Sequence, residues 1–313
     1  MRIVLADAGL AFDGLTPSER PLGGAESAFV ALAEALAADG AEVLAFAKDA
    51  RKVVHRGVTW APAGAAWPDR IDLFIANRSP RLVSEPIRAR RRVFWLHNPA
   101  QFLTKPRYLL PLLARQPTIV FAGPHHMKTA PAWVPGRRKI IPLGVEAAFI
   151  ETPRLSGAPP PRAVFTSNPT RSLGALLLLW RERIRPAVPN AELHVFSGPQ
   201  VYGATGPRAA AMRAAVADAA ALKAYGVVVR EPLPKAGLAR ELAQARTLLY
   251  LGDPGETFCL AVAEAQAMGV PAVVRPVGAV GERVEHGRTG FVERDYPEFA
   301  DAAIRVLTDT ALW

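Results

Sequence analysis

A single cysteine, Cys259, stands in 313 residues, so the chain can close no internal disulfide and nothing in it demands an oxidising compartment. No apolar run approaches the roughly 20 residues needed to cross a bilayer. The opening Met1-Arg2-Ile3-Val4-Leu5-Ala6 reaches Asp7 too soon for a signal peptide. Together these features make a reducing cytoplasm the expected location, with the inner face of a membrane as a peripheral site. The first apolar run passes into Asp7-Ala8-Gly9-Leu10-Ala11-Phe12 and not into a Gly-x-Gly-x-x-Gly turn, which disfavours a nicotinamide dehydrogenase. There is no aspartate-rich cluster to suggest a metal centre, and no nucleic-acid-binding motif accompanies the positive charge.

What is present is apolar and basic. Half of the residues are hydrophobic, more than one core of ordinary size needs at this length, so two lobes are expected. The net charge of +10 is uneven: residues 1–150 hold 20 Lys+Arg against 12 Asp+Glu (+8), and the remainder 18 against 16 (+2). Arg88, Arg90, Arg91 and Arg92 form one basic cluster, and Arg137, Arg138 and Lys139 another. An anionic membrane or an acidic acceptor suits such clusters, as does a plain solvated surface.

Short apolar runs alternate with helical patterns in both halves, the signature of parallel sheets with crossover helices. Strands are expected at 2–6, 42–47, 72–77, 92–97, 118–123 and 139–143, and then at 163–167, 192–197, 227–230, 247–251 and 271–275. A first crossover helix is expected over 26–38, stopped by Gly40. Between 146 and 162 the pattern lapses into Pro153, Gly157, Pro159, Pro160 and Pro161, a stiff connector. The domain boundary is therefore placed at 150/151. The fold class is α/β, two doubly wound domains, whose ligands sit beyond the carboxyl ends of the strands.

The most informative stretch is Gly255-Glu256-Thr257-Phe258-Cys259-Leu260-Ala261-Val262-Ala263-Glu264, where a glycine turn meets an Ala-rich helix. Amides at the start of a helix can hold a diphosphate. One carboxylate before the helix and another two turns in can accept hydrogen bonds from the hydroxyls of a sugar and a ribose. An ordinary amphipathic helix with two solvated glutamates is the blander reading. Elsewhere Gly23-Gly24-Ala25-Glu26 opens a helix where backbone can approach a ligand. His97 ends the run Phe94-Trp95-Leu96-His97, while His125 and His126 read as loop residues.

The Glu256–Glu264 spacing, with Ala265, Ala267, Gly269 and Pro271 after it, closely resembles the signature of retaining glycosyltransferases of the GT-B fold, particularly glycosyltransferase family 4. The resemblance implies two Rossmann-like domains facing a central cleft, with residues 1–150 on the acceptor side and 151–313 holding a nucleotide-sugar donor. It gives Glu256 to the donor sugar and Glu264 to the ribose, and it gives His97 a contact with the sugar. Arg171, in Phe165-Thr166-Ser167-Asn168-Pro169-Thr170-Arg171, matches the later basic position of the family's phosphate-gripping motif, so it is the expected leaving-group stabiliser. Gly23, Gly24, Asn168, Gly198, Arg230, Thr257, Phe258, Cys259 and Leu260 complete the expected donor site. Two positions depart from the family pattern: Thr166 stands where many members carry arginine, and Cys259 where glycine is usual.

The expected activity is retaining transfer of a sugar, a hexose by preference, from a UDP- or GDP-type donor to a hydroxyl acceptor that is a glycan, lipid-linked or small. Neither cofactor nor metal is expected. A GT-B nucleotide-sugar epimerase and a non-catalytic nucleotide-sugar binder remain open alternatives.

Overall fold

The computed structural model describes every residue except Leu155, which falls within the expected connector and lies outside the described residues. The chain divides into two compact units, Met1–Gly144 and Val145–Trp313. The sequence placed this division at 150/151.

The first unit is built on eight strands: β1 (Arg2–Ala11), β2 (Glu42–Lys48), β3 (Val53–His55), β4 (Val58–Pro62), β5 (Ile71–Asn77), β6 (Ala89–Trp95), β7 (Thr118–Phe121) and β8 (Arg137–Ile140). They form one sheet in the order β3-β4-β2-β1-β5-β6-β7-β8. Every neighbouring pair is parallel except β3 with β4. Ile3, Val4, Leu5 and Ala6 are all buried, in successive positions and so on both faces of the sheet. That is why β1 reads as a continuous apolar run and not as an alternating one. The helix Gly24–Ala38 lays Phe29, Val30 and Ala33 on one face of the sheet, among Ile3, Leu5, Trp60 and Ile75. A separate apolar cluster around Phe74, Phe94, Ile119 and Phe121 covers the other face.

The second unit has six strands, β9 (Arg162–Phe165), β10 (Glu192–Phe196), β11 (Val227–Arg230), β12 (Thr247–Tyr250), β13 (Ala272–Val274) and β14 (Gly290–Val292). Their order is β11-β10-β9-β12-β13-β14, all parallel. Numbered within the unit this is 3-2-1-4-5-6, the doubly wound order of dinucleotide-binding folds. One core holds the unit together, with Trp180, Phe165, Tyr250 and Phe299 among its largest buried side chains.

Each expected strand coincides at least in part with an observed one. Three strands escaped the sequence reading. β3 and β4 form a hairpin whose central residues, Arg56 and Gly57, both take positive φ (45° and 77°). Such turns are usually announced by Asn-Gly or Asp-Gly, and Arg-Gly gives no such cue. β14 spans only Gly290–Val292, too short for periodicity to register.

Candidate functional site

In an open parallel sheet the connections leave a crevice where the strand order reverses, beyond the carboxyl ends of the two strands involved. In the second unit those strands are β9 and β12, and the loops after them carry the expected donor residues. After β9, Asn168 Oδ1 accepts from the Thr170 amide (3.0 Å) and hydroxyl (2.8 Å), while its carbonyl accepts from the Arg171 amide (2.9 Å). Asn168 thus shapes the loop that presents Arg171. The Ser172 hydroxyl donates to the Gly252 carbonyl and ties this loop to the one after β12.

Glu256 is the hub. Its Oε2 accepts from Arg171 Nη1 at 2.8 Å and from the Tyr250 hydroxyl at 3.1 Å, and its Oε1 accepts from the Cys259 amide at 3.2 Å. Asp253 lies 4.0 Å from Arg171 Nε. Burial acts to lower the Arg171 pKa, but the charge of Glu256, with smaller contributions from Tyr250 and Asp253, outweighs it and holds the guanidinium above its ordinary value. Burial pushes the Tyr250 phenol up, and Glu256 pushes it further. Burial likewise raises the Cys259 thiol, leaving it protonated and no candidate nucleophile.

Glu264 sits a little over one turn into the helix Leu260–Ala267, its side chain 6% exposed, and its Oε1 is held by the ammonium of Lys235. Sequence reasoning missed Lys235, because no local pattern announces a partner 29 residues upstream. It also missed Tyr202. Burial pushes that phenol up and the charges of Arg171, Glu256 and Glu264 all act on it, which sets it beside the same cluster. Thr257 and Phe258 are buried, the latter under the guanidinium of Arg283 at 4.5 Å from its ring. Arg230 is exposed at the end of β11, and Gly198 leads into the turn Pro199–Tyr202. The Thr166 hydroxyl oxygen is buried without a hydrogen-bond partner and supplies no charge.

The first unit has its own polar cluster at its own reversal point, between β1 and β5. Asp7 accepts from Arg78 Nε (2.9 Å) and Nη2 (3.1 Å), from the Gly9 amide (2.6 Å) and from Asn77 Nδ2 (2.6 Å). Arg78 also pairs with Glu26, the last residue of the Gly-Gly-x-Glu turn, at 2.6 Å. Gly23 caps the helix that carries Glu26, and Gly24 begins it. With its amide nitrogen given to Asp7, Asn77 turns Oδ1 toward His97 Nε2 at 2.8 Å, so Nε2 is the ring nitrogen that carries the proton. Burial, with the positive charge of Arg78 second, drives the His97 pKa down to about 3 and keeps the ring neutral. Asp7, Asn77 and Arg78 follow strand-like runs with nothing in the sequence to mark them as a network.

The reading of His126 as a loop residue is corrected. It lies fully buried in the short helix Pro124–Lys128, where Nδ1 accepts from the Ala122 amide (3.1 Å) and Nε2 meets the Asn98 carbonyl (2.9 Å). Its work is to brace the backbone that follows His97. The two basic clusters do converge: Arg90, Arg91, Arg92, Arg115, Arg137 and Lys139 line one concavity of about 630 Å³ in the first unit.

Residues 164–309 match the family model described as Glycosyl transferases group 1. Over 121 residues the chain is 35% identical to the D-inositol 3-phosphate glycosyltransferase of a Nocardioides species, a stretch that covers 37% of this chain and 26% of that protein. The match thus spans about a quarter of the relative's length. Among solved structures, the sucrose-phosphate synthase of Thermosynechococcus elongatus superposes with a TM-score of 0.71 at 17% identity, covering 100% of this chain and 91% of that one. The Anabaena protein HepE, solved in complex with UDP and glucose, gives 0.69 at 16% identity with the same coverages of 100% and 91%. The strand orders and this full-length likeness agree on the GT-B fold, and within it the match to the glycosyl transferases of group 1 covers residues 164–309 of the second unit.

Proposed function

We propose that the protein is a retaining glycosyltransferase that moves a sugar from a nucleoside diphosphate sugar, of UDP or GDP type, to a hydroxyl acceptor. The observation that carries this reading is the cluster at the β9/β12 reversal point, where Arg171, Tyr250 and a helix-start amide converge on Glu256. Breaking the bond between anomeric carbon and diphosphate leaves new negative charge on the departing oxygen. A fixed guanidinium is the group that stabilises such charge, and a bidentate fork suits phosphate oxygens. Arg171 is therefore assigned to the leaving diphosphate, without a metal, and Glu256 to hydroxyls of the sugar. Arg171 and Glu256 satisfy one another, so donor entry would exchange an internal ion pair for two ligand contacts. Glu264 takes the ribose. His97 is assigned a role in sugar recognition, its neutral imidazole a hydrogen-bonding group that brings no charge.

The HepE complex with UDP and glucose supports a uridine donor by analogy of fold. The basic concavity of the first unit suits an anionic acceptor or membrane surface better than a neutral one. Donor turnover tests the assignment directly. Glu256→Ala and Arg171→Ala are each expected to lower donor hydrolysis or transfer by about 100-fold or more, as removal of a charge-stabilising group does. Near-normal turnover in both variants would end the reading.

A further inference from the structure

Glu264 is a buried carboxylate with one cation against it. Its side chain is 6% exposed and that of Lys235 15%, and among the described residues no other basic group pairs with Glu264. Lys235 opens the helix Lys235–Leu242 directly after Pro234, and its ammonium also lies 5.7 Å from the ring centre of Phe149, so backbone and stem both limit where the charge can go. Only Oε1 of Glu264 is taken by Lys235; Oε2 accepts no side-chain hydrogen bond among the described residues.

We propose that Lys235 is a positioning residue for the nucleotide: it fixes Glu264 by one oxygen, leaving the other to accept from the ribose hydroxyls, and neutralises a carboxylate that would otherwise repel the diphosphate. This rests on the reading of Glu264 as the ribose acceptor. Two physical effects combine. An unpaired buried carboxylate is costly, and without its cation the side chain gains by turning to water, away from the orientation the ribose needs. A bare negative charge beside a dianionic diphosphate also weakens binding of ribo- and deoxyribonucleotides alike. Loss of Lys235 therefore reduces affinity and ribose selectivity together, while the bond-breaking chemistry at Arg171 is left alone. A residue that merely braced the fold would change stability without changing that selectivity.

The experiment measures donor KM and kcat, together with calorimetric affinity for UDP and GDP and for their 2′,3′-dideoxy counterparts, in the full chain and in Lys235→Met, Lys235→Gln and Lys235→Arg. With methionine, donor KM is expected to rise about tenfold with kcat within about twofold, the scale of one lost charge-assisted contact. The ribo-over-dideoxy preference is expected to fall from about tenfold to near unity. Arginine restores both. Glutamine, which keeps a hydrogen bond to Glu264, falls between the two and replaces methionine if that variant does not fold. Should the wild type bind neither UDP nor GDP, the donor-site reading itself fails. A wild type that binds and prefers the ribonucleotide, with Lys235→Met or Lys235→Gln preferring it equally, overturns the role of Lys235 alone.

Discussion

Cys259 shows how one backbone angle shapes this site. Its φ is +69°, in the left-handed region that glycine enters freely and a residue with a Cβ enters at about 1 kcal/mol. The geometry accounts for glycine being usual at this position in the family it resembles. What the bent backbone secures is the Cys259 amide aimed at Glu256, a contact no spacing argument could reveal. His97 is a residue of another kind, neutral because it is buried. Its pKa of about 3 in the folded chain lies below the ordinary 6.5, so its contribution to stability is complete above pH 6.5 and is lost as pH falls toward 3. Thermal melts of the wild type and of His97→Gln are therefore expected to converge as pH falls from 7 to 4, by about 1.4 kcal/mol per pH unit at most. Parallel pH profiles would show that this histidine is not held neutral.

At the scale of elements, both units put their polar groups at the point where strand order reverses. Asp7, within β1, and Asn77, the last residue of β5, stand opposite one another in register. Arg171 and Glu256 extend from the ends of β9 and β12, which are themselves paired. Sheet topology brings residues 85 positions apart into a 2.8 Å contact. Gly252 joins the two loops of the second unit. Its φ is +80°, a Cβ there would stand 2.8 Å from Val277 Cβ and 3.0 Å from the Val277 carbonyl, and its own carbonyl accepts the Ser172 hydroxyl. Gly252→Ala is accordingly expected to cost about 1–3 kcal/mol in denaturant unfolding and to weaken nucleotide binding, since the strained backbone displaces the carbonyl that tethers the Arg171 loop. A variant as stable as the wild type would show that this junction carries no strain.

The apolar core of the whole molecule is divided, not single. The apolar cluster of Val145–Trp313 shares no residue with the two clusters of Met1–Gly144. Residues 145–313 contain a complete six-stranded sheet together with Arg171, Lys235, Glu256 and Glu264. Expressed alone, that segment is expected to unfold in one cooperative transition, and a saturating nucleoside diphosphate at about 100 times Kd is expected to stabilise it by about 2.7 kcal/mol. A segment that melts without cooperativity, or ignores UDP and GDP, would show that the second unit depends on the first.

By itself the sequence determined the class of fold and the approximate places of eleven strands, and it singled out the motif that ends in Glu264 and the cation Arg171 as candidates, because local periodicity and short spacings are written in neighbouring residues. It was silent on Lys235, Tyr202 and the chain from Glu26 through Arg78, Asp7 and Asn77 to His97. Those partners lie tens of residues apart, and the pairing of β1 with β5 and β5 with β6 in one sheet, and of β12, β9, β10 and β11 in the other, brings them within hydrogen-bonding or Coulombic reach. Tertiary structure decided which carboxylate meets which cation, since a charge pair depends on distance through space and not along the chain.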